Sequence, residues 1–262
     1  MRIVTLISDW KKADYYAAVI RGIVMSADEN VNVVEISDQI DSYRIEQAAL
    51  VLSNCYQFYP AGTIHLVAVK GEPEINNRFL LAEWESQYFL FSDNGFASLF
   101  WPDELPEKLY ELKEQPVTTF PEADILARVA VDLLNKKEPA EFALPTRENL
   151  RRLHPQPSFD QDVIMGTVLL NDSYGNAITN VSKNYFEKHV QNKNYVIIPG
   201  NNHYPIRKIQ SRYNEVSPAG QTAVFNSAGK LEIAIRNGSA RDLLGLKEGT
   251  NIRIEIYDTA NS

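Results

Sequence analysis

Apolar positions in the first seventy residues change period several times. Ile3-Val4-Thr5-Leu6-Ile7 is a short β-favouring run that passes into the polar Ser8-Asp9, and Tyr16, Val19, Ile20, Ile23 and Val24 then recur at helical spacing. Val31 to Ile36 reads as a second strand, and Ile45 to Tyr59 as a helix ended by Pro60-Ala61-Gly62. Thr63 to Val69 is almost continuously apolar, as expected of a strand buried on both faces. This βαβαβ order predicts a mainly parallel sheet flanked by helices. Phe79 to Ala82 and Tyr88 to Phe91 are two further strands, the second followed by the turn signal Ser92-Asp93-Asn94-Gly95, and Asp124 to Asn135 has helical spacing.

The pattern then changes. From Lys136 to Asp162 the chain carries Pro139, Pro145, Pro155 and Pro157 and few periodic apolar positions, which marks 139–160 as a linker between an α/β domain over 1–138 and a second domain over 161–262. Short apolar runs at Val163 to Leu170, Tyr195 to Ile198, Thr222 to Phe225, Leu231 to Ile235 and Asn251 to Tyr257, with one short helix at Ala240 to Leu244, predict a small β-barrel there.

Composition narrows the partners. The formal charge of −8 over 262 residues, with only isolated basic pairs at Lys11-Lys12 and Arg151-Arg152, argues against a nucleic-acid partner. No apolar stretch is long enough to span a bilayer, and no basic segment precedes an apolar secretory core, so no membrane partner and a cytoplasmic location are expected. The single Cys55 falls on the apolar face of the predicted helix with Ala48, Leu52 and Tyr59, as a buried thiol in a reducing compartment. The four histidines, His65, His154, His189 and His203, are scattered without the i,i+4 partner of a helical metal site, and no metal or cofactor is expected. Phosphate-cradling glycine loops, H-E-x-x-H and G-x-S-x-G are all missing from the sequence.

Candidate chemistry gathers at three places. Asp9 ends the first strand and Asp14 opens the first helix, where α/β sheets hold ligands. Two carboxylates there suit a hydroxyl-rich or cationic small molecule; otherwise Asp14 caps a helix and Asp9 closes a turn. The run Asn171 to Asn180 places Asp172, Tyr174 and Asn176 around Gly175, either a platform on which a purine stacks or a hairpin turn satisfying its own backbone. Phe225 to Gly229 followed by Leu231 to Ala240 is a second segment of this kind, or merely two strands and their turn.

Together these segments resemble the family of S-adenosyl-L-methionine hydrolases (hydroxide adenosyltransferases) and the related fluorinating and chlorinating enzymes. The resemblance rests on Ser8-Asp9 with Asp14, Val33-Val34-Glu35-Ile36 with Gln39-Ile40, Tyr59 to Ile64, Asp93-Asn94-Gly95, Asp172 to Asn176 with Thr179-Asn180, and Asn226-Ser227 with Asn237-Gly238-Ser239. It implies an α/β domain followed by a small β-barrel domain, in a homotrimer whose ligand lies between the first domain of one subunit and the second of its neighbour. By that pattern Asp9 grips the ribose hydroxyls, Tyr43 lines the ribose side, and Asp14, Asp172 and Ser227 face the amino-acid portion. Tyr174 and Tyr213 sandwich adenine, whose edge is read by Asn176 with the backbone of Asn237 and Gly238. The implied reaction is displacement at the ribose 5′ carbon, giving adenosine and L-methionine when water attacks.

The sequence departs from the family where a nucleophile would be handled. Val69-Lys70-Gly71-Glu72-Pro73 replaces a V-D-P-G-V-G type loop, so the loop aspartate has become Val69, and Thr119-Phe120 is followed by Pro121-Glu122 where the hydrolases have a histidine. Arg78 matches the family arginine after a small shift, and Glu72 and Glu122 are the acids that could orient a water in place of the lost groups; otherwise each is an exposed loop acid. The loop after Asp9 is also altered, with Trp10-Lys11-Lys12 in place of an aromatic residue and glycine. Three activities follow as expectations: hydrolysis of S-adenosyl-L-methionine, binding of it or of adenosine without turnover, or action on another adenosine derivative.

Overall fold

The computed structural model describes residues 2–73, 78–113, 116–153, 155–201 and 204–258. His154, His203 and the end of the loop after the third strand, 74–77, lie outside the described residues. The chain divides into two compact units, 1–154 and 155–262.

The first unit runs β1 (Arg2–Ser8), α1 (Tyr16–Ala27), β2 (Val31–Ser37), α2 (Ile45–Ser53), β3 (Ile64–Ala68), β4 (Phe79–Trp84), β5 (Gln87–Ser92), α3 (Phe96–Phe100) and β6 (Lys108–Leu112). A π-helical turn, Glu122–Leu126, then leads directly into α4 (Ala127–Leu134), followed by α5 (Pro139–Phe142) and β7 (Ala143–Pro145). The sheet order is β2-β1-β3-β5-β4-β6-β7. β2, β1, β3 and β5 are mutually parallel, whereas β4 pairs antiparallel with β5 and β6, and β7 pairs antiparallel with β6. The sheet is therefore mixed, which corrects the expectation of a mainly parallel one. Glu85 and Ser86, at φ 48° and 63°, form a two-residue hairpin between β4 and β5, and so short a connection can only return the chain antiparallel.

Alternation along β1 sends side chains to opposite faces. Leu6 packs with Ile20 and Val24 of α1 and Ala130 of α4, while Ile7 packs with Ala48 and Leu52 of α2 and Phe96 of α3. The chain leaves β1 for β2 over one face and returns past β1 to β3 over the other. The carboxyl ends of β1 and β3 are thus a point where the winding reverses, the place where α/β sheets open a crevice. Helix α2 stops at Ser53 rather than Tyr59: the Ser53 hydroxyl donates to the Leu50 carbonyl at 2.9 Å, and a 3-10 turn, Tyr56–Phe58, follows. Cys55 is half-buried beside this core, and desolvation raises its thiol pKa to about 11.

The second unit runs β8 (Ser158–Asp160), β9 (Val163–Asn171), β10 (Ala177–Ser182), α6 (Lys183–Val190), β11 (Asn194–Pro199), β12 (Ile209–Gln210), β13 (Gln221–Phe225), β14 (Lys230–Ile235), α7 (Ala240–Leu243) and β15 (Asn251–Tyr257). Its strand order is β11-β15-β9-β10-β14-β13-β12, with β8 paired to β9. Among the described residues no ladder joins β11 to β12, only the isolated bridge Ile197 to Ile206, so the unit is a curled sheet with two ends in place of the expected small barrel. β12 is two residues long, and Pro199 and Pro205, which lack an N–H, flank the stretch that would have to close it. No helix among the described residues is long and apolar enough to cross a membrane.

Candidate functional site

At the reversal point of the first unit, Asp9 follows β1 between two loops. Its Oδ2 accepts the backbone N–H of Tyr43, from the loop after β2, at 2.8 Å and that of Lys70, from the loop after β3, at 3.4 Å. Both donors sit in the left-handed region, Tyr43 at φ 68° and Lys70 at φ 47°, a conformation L-residues hold only when their surroundings impose it. One carboxylate therefore organises both rims of a cleft of about 590 Å³. Asp14 does not cap α1, whose N-cap is Tyr15 without a side-chain bond; its carboxylate accepts the Lys11 N–H at 2.9 Å and stays exposed in the cleft.

The loop after β3 is fastened from below. The Asn94 amide donates to the carbonyls of Val69 at 3.1 Å and Lys70 at 2.9 Å, and the Ser92 hydroxyl donates to that of Gly71. Ser92 and Asn94, at the turn after β5, thus brace the cleft and do not line it. Opposite stand Trp10, Tyr16 and Phe120, with ring centroids 5.2–5.6 Å apart. This aromatic wall was not anticipated; Trp10 and Phe120 were visible only as neighbours of other motifs.

Four carboxylates, Asp9, Asp14, Glu72 and Glu122, line this cleft against two lysines, Lys11 and Lys70. Glu122, the first residue of the π-helical turn, is only 6% exposed. Desolvation first, then the negative charges of Asp9 and Glu72, push its pKa up to about 7. Arg78 lies apart from the cleft lining: it reaches Asp93 at 3.7 Å, Glu111 at 3.1 Å and Glu148 at 3.3 Å. His65 is a core histidine on β3, held between Thr5 at 2.7 Å and Gln87 at 2.5 Å, and burial lowers its pKa to about 4. His189 stacks on Phe159 at 4.2 Å.

A second cleft, of about 660 Å³, lies wholly within the second unit and is lined by Asp172, Tyr174, Asn176, Tyr213, Asn237 and Gly238 among others. Asp172 closes the turn after β9, its Oδ1 accepting the N–H groups of Tyr174 and Asn176, both at 2.9 Å, and its Oδ2 accepting the Asn176 amide at 3.0 Å. The turn satisfies its own backbone and in doing so leaves the Tyr174 ring 79% exposed over the cleft. With the Asn176 amide nitrogen committed to Asp172, its carbonyl oxygen remains to accept from a ligand amino group. Tyr213 donates its hydroxyl to the buried Glu232 at 2.8 Å, which fixes its ring, and desolvation, reinforced by that bond, raises its pKa. Arg236 holds the segment after Tyr213 through the carbonyls of Asn214 at 3.2 Å and Val216 at 2.7 Å. Asn237, at φ 59°, turns the backbone into the cleft. Ser227 is exposed in the turn between β13 and β14 and does not line the cleft.

Residues 4–143 match the SAM hydroxide adenosyltransferase N-terminal domain, and residues 166–253 match the SAM hydroxide adenosyltransferase C-terminal domain. The chain belongs to this family. An (R)-S-adenosyl-L-methionine hydrolase from Thermus thermophilus is 28% identical over 97% of this chain and its own full length. Another from Methanocaldococcus jannaschii is 22% identical over 69% of this chain and 67% of its own. Among solved structures, an uncharacterized conserved protein from Thermotoga maritima superposes with a TM-score of 0.83 at 23% identity, covering 96% of this chain and 99% of its own. A conserved hypothetical protein from Thermus thermophilus gives 0.74 at 25% identity, covering 98% of this chain and all of its own. In this chain, then, Asp9, Asp14, Tyr43, Glu72 and Glu122 meet in one cleft and Asp172, Tyr174, Asn176, Tyr213, Asn237 and Gly238 in another, with Arg78 and Ser227 in neither.

Proposed function

We propose that the protein hydrolyses S-adenosyl-L-methionine to adenosine and L-methionine by attack of water on the ribose 5′ carbon. The observation that carries this reading is the acidic cleft organised by Asp9, whose Oδ2 is occupied by two backbone N–H groups while Oδ1 remains for a ribose hydroxyl. Four carboxylates complement a substrate that carries a sulfonium and an ammonium. As the oxygen–carbon bond forms, the carbon–sulfur bond breaks and its electron pair neutralises the sulfonium. Methionine therefore leaves without a proton, and alignment in a water-poor site supplies most of what the reaction needs. Tyr174 and Tyr213 supply aromatic faces for adenine, and the Asn176 carbonyl an acceptor for its amino group.

The reading unites the two clefts across neighbouring subunits of a homotrimer, in the cytoplasm, where Cys55 stays reduced. The test is incubation of purified protein with S-adenosyl-L-methionine in halide-free buffer, with adenosine and methionine followed by chromatography. Equal amounts of both products, lost in Asp9→Ala, are expected. Substrate that binds but stays intact would overturn this reading in favour of a binding protein of the same fold.

A further inference from the structure

Resting on the hydrolase reading, we propose that Glu122 is the general base of this site, taking a proton from the attacking water. In the bond changes, water oxygen joins the 5′ carbon, sulfur departs with the electron pair of the broken bond, one water proton passes to the Glu122 carboxylate and the other remains on the new 5′-hydroxyl. Glu122 then returns its proton to solvent.

Geometry separates the two acids that the sequence nominates. Glu72 is exposed on its loop, whereas Glu122 is buried at the cleft and anchored to an element that continues into the core helix α4. π-helical turns recur at functional sites, and this one begins at Glu122, directly after Pro121. The carboxylate is seated over Gly71: a Cβ added at Gly71 would collide with both the carboxyl carbon and Oε1 of Glu122. Gly71 does not have a positive φ, so the position needs the absence of a side chain rather than backbone freedom. The braces from Ser92 and Asn94 hold this loop against the acid, and Gly71 and Glu122 form a fitted pair where the family aspartate and histidine are missing.

The groups facing Glu122 in the cleft are Asp9, Asp14 and Glu72, the lysines Lys11 and Lys70, and the phenol of Tyr16. Burial and the acidic neighbours give a pKa of about 7, which makes the carboxylate a far stronger base than an exposed glutamate while leaving much of it ionised at neutral pH.

The test is Glu122→Gln, close in shape and able to keep its seat over Gly71. The parent and variant are compared for kcat, KM and the pH profile of kcat/KM, with substrate affinity measured by calorimetry. A fall in kcat of at least about 100-fold is expected, with affinity changed by no more than about threefold and with loss of the acidic limb that the parent shows near neutrality. A variant that keeps kcat within about threefold, or keeps that limb, would overturn the role of Glu122 and leave the hydrolase reading standing. A parent that forms no adenosine would overturn both.

Discussion

Replacing Glu122 by glutamine should make the first unit more stable, by an amount set by pH. In the folded chain the carboxyl titrates at about 7 instead of 4.5, so the native state binds its proton more tightly than the unfolded chain does. A raised folded pKa contributes stability that is complete below the unfolded value and is lost as pH rises through the folded one. By this linkage the parent gives up about 1 kcal/mol near pH 5 and about 3 kcal/mol near pH 8 relative to a side chain that never ionises. His65 works in the opposite sense. Its pKa falls from 6.5 to about 4, so it adds stability as pH rises across that window. The two contributions nearly cancel in the parent between about pH 4.5 and 6.5, and Glu122→Gln should expose the His65 slope. Urea unfolding followed by tryptophan fluorescence is the assay, because Trp10, Trp84 and Trp101 all lie in the first unit. A stability gain that does not depend on pH, or a loss near pH 8, would refute the reasoning. A gain would mean that the acid is kept at a cost in stability, as active-site groups often are.

Two further substitutions test the clefts separately. Gly71→Ala places a methyl group where the Glu122 carboxyl sits, and should lower the stability of the first unit by about 1–3 kcal/mol and adenosine formation by at least about tenfold; unchanged values in the same two assays would contradict the fitted pair. Tyr174→Ala removes an exposed ring, so stability should stay within about 0.5 kcal/mol of the parent. Adenosine affinity by calorimetry should nevertheless fall by about five- to 100-fold through lost stacking, and full affinity would remove Tyr174 from the site.

Much of the first unit is legible in its residues. Five β-favouring residues before Ser8-Asp9, a helix-period run, and the doubly buried stretch around Leu66 specify β1, α1 and β3, and with them the reversal point that Asp9 occupies. Other elements left weaker marks. β6, Lys108–Leu112, alternates charged and polar residues with two leucines and looks like loop, and its strand character comes from pairing with β4. Helix α6 follows the N-cap Ser182, whose hydroxyl accepts the Tyr185 N–H at 3.2 Å, a signal present in the sequence but masked by the low apolar content of Lys183–Val190. The direction of β4 depended on a two-residue turn at Glu85-Ser86 that contains no glycine or asparagine.

The sites show the same division. Asp9, Asp172 and Tyr174 were identifiable as cleft residues because turn residues at strand ends are where α/β and β folds open to ligands. The sequence allowed Asp172 to be either a turn residue or a site residue; in the structure it closes the turn, lines the second cleft and leaves Tyr174 exposed over it. The seat of Glu122 over Gly71 was not legible, because it brings together residues 51 positions apart that share no pattern. Nor could the sequence tell that Arg78 engages Asp93, Glu111 and Glu148 instead of lining the cleft.

The most direct test of the central claim is turnover of S-adenosyl-L-methionine in water enriched in oxygen-18, with the adenosine analysed by mass spectrometry. The account predicts one labelled oxygen, carried on the 5′-hydroxyl, and unlabelled methionine. Adenosine without the label, or no adenosine from a protein that still binds the substrate, would contradict it.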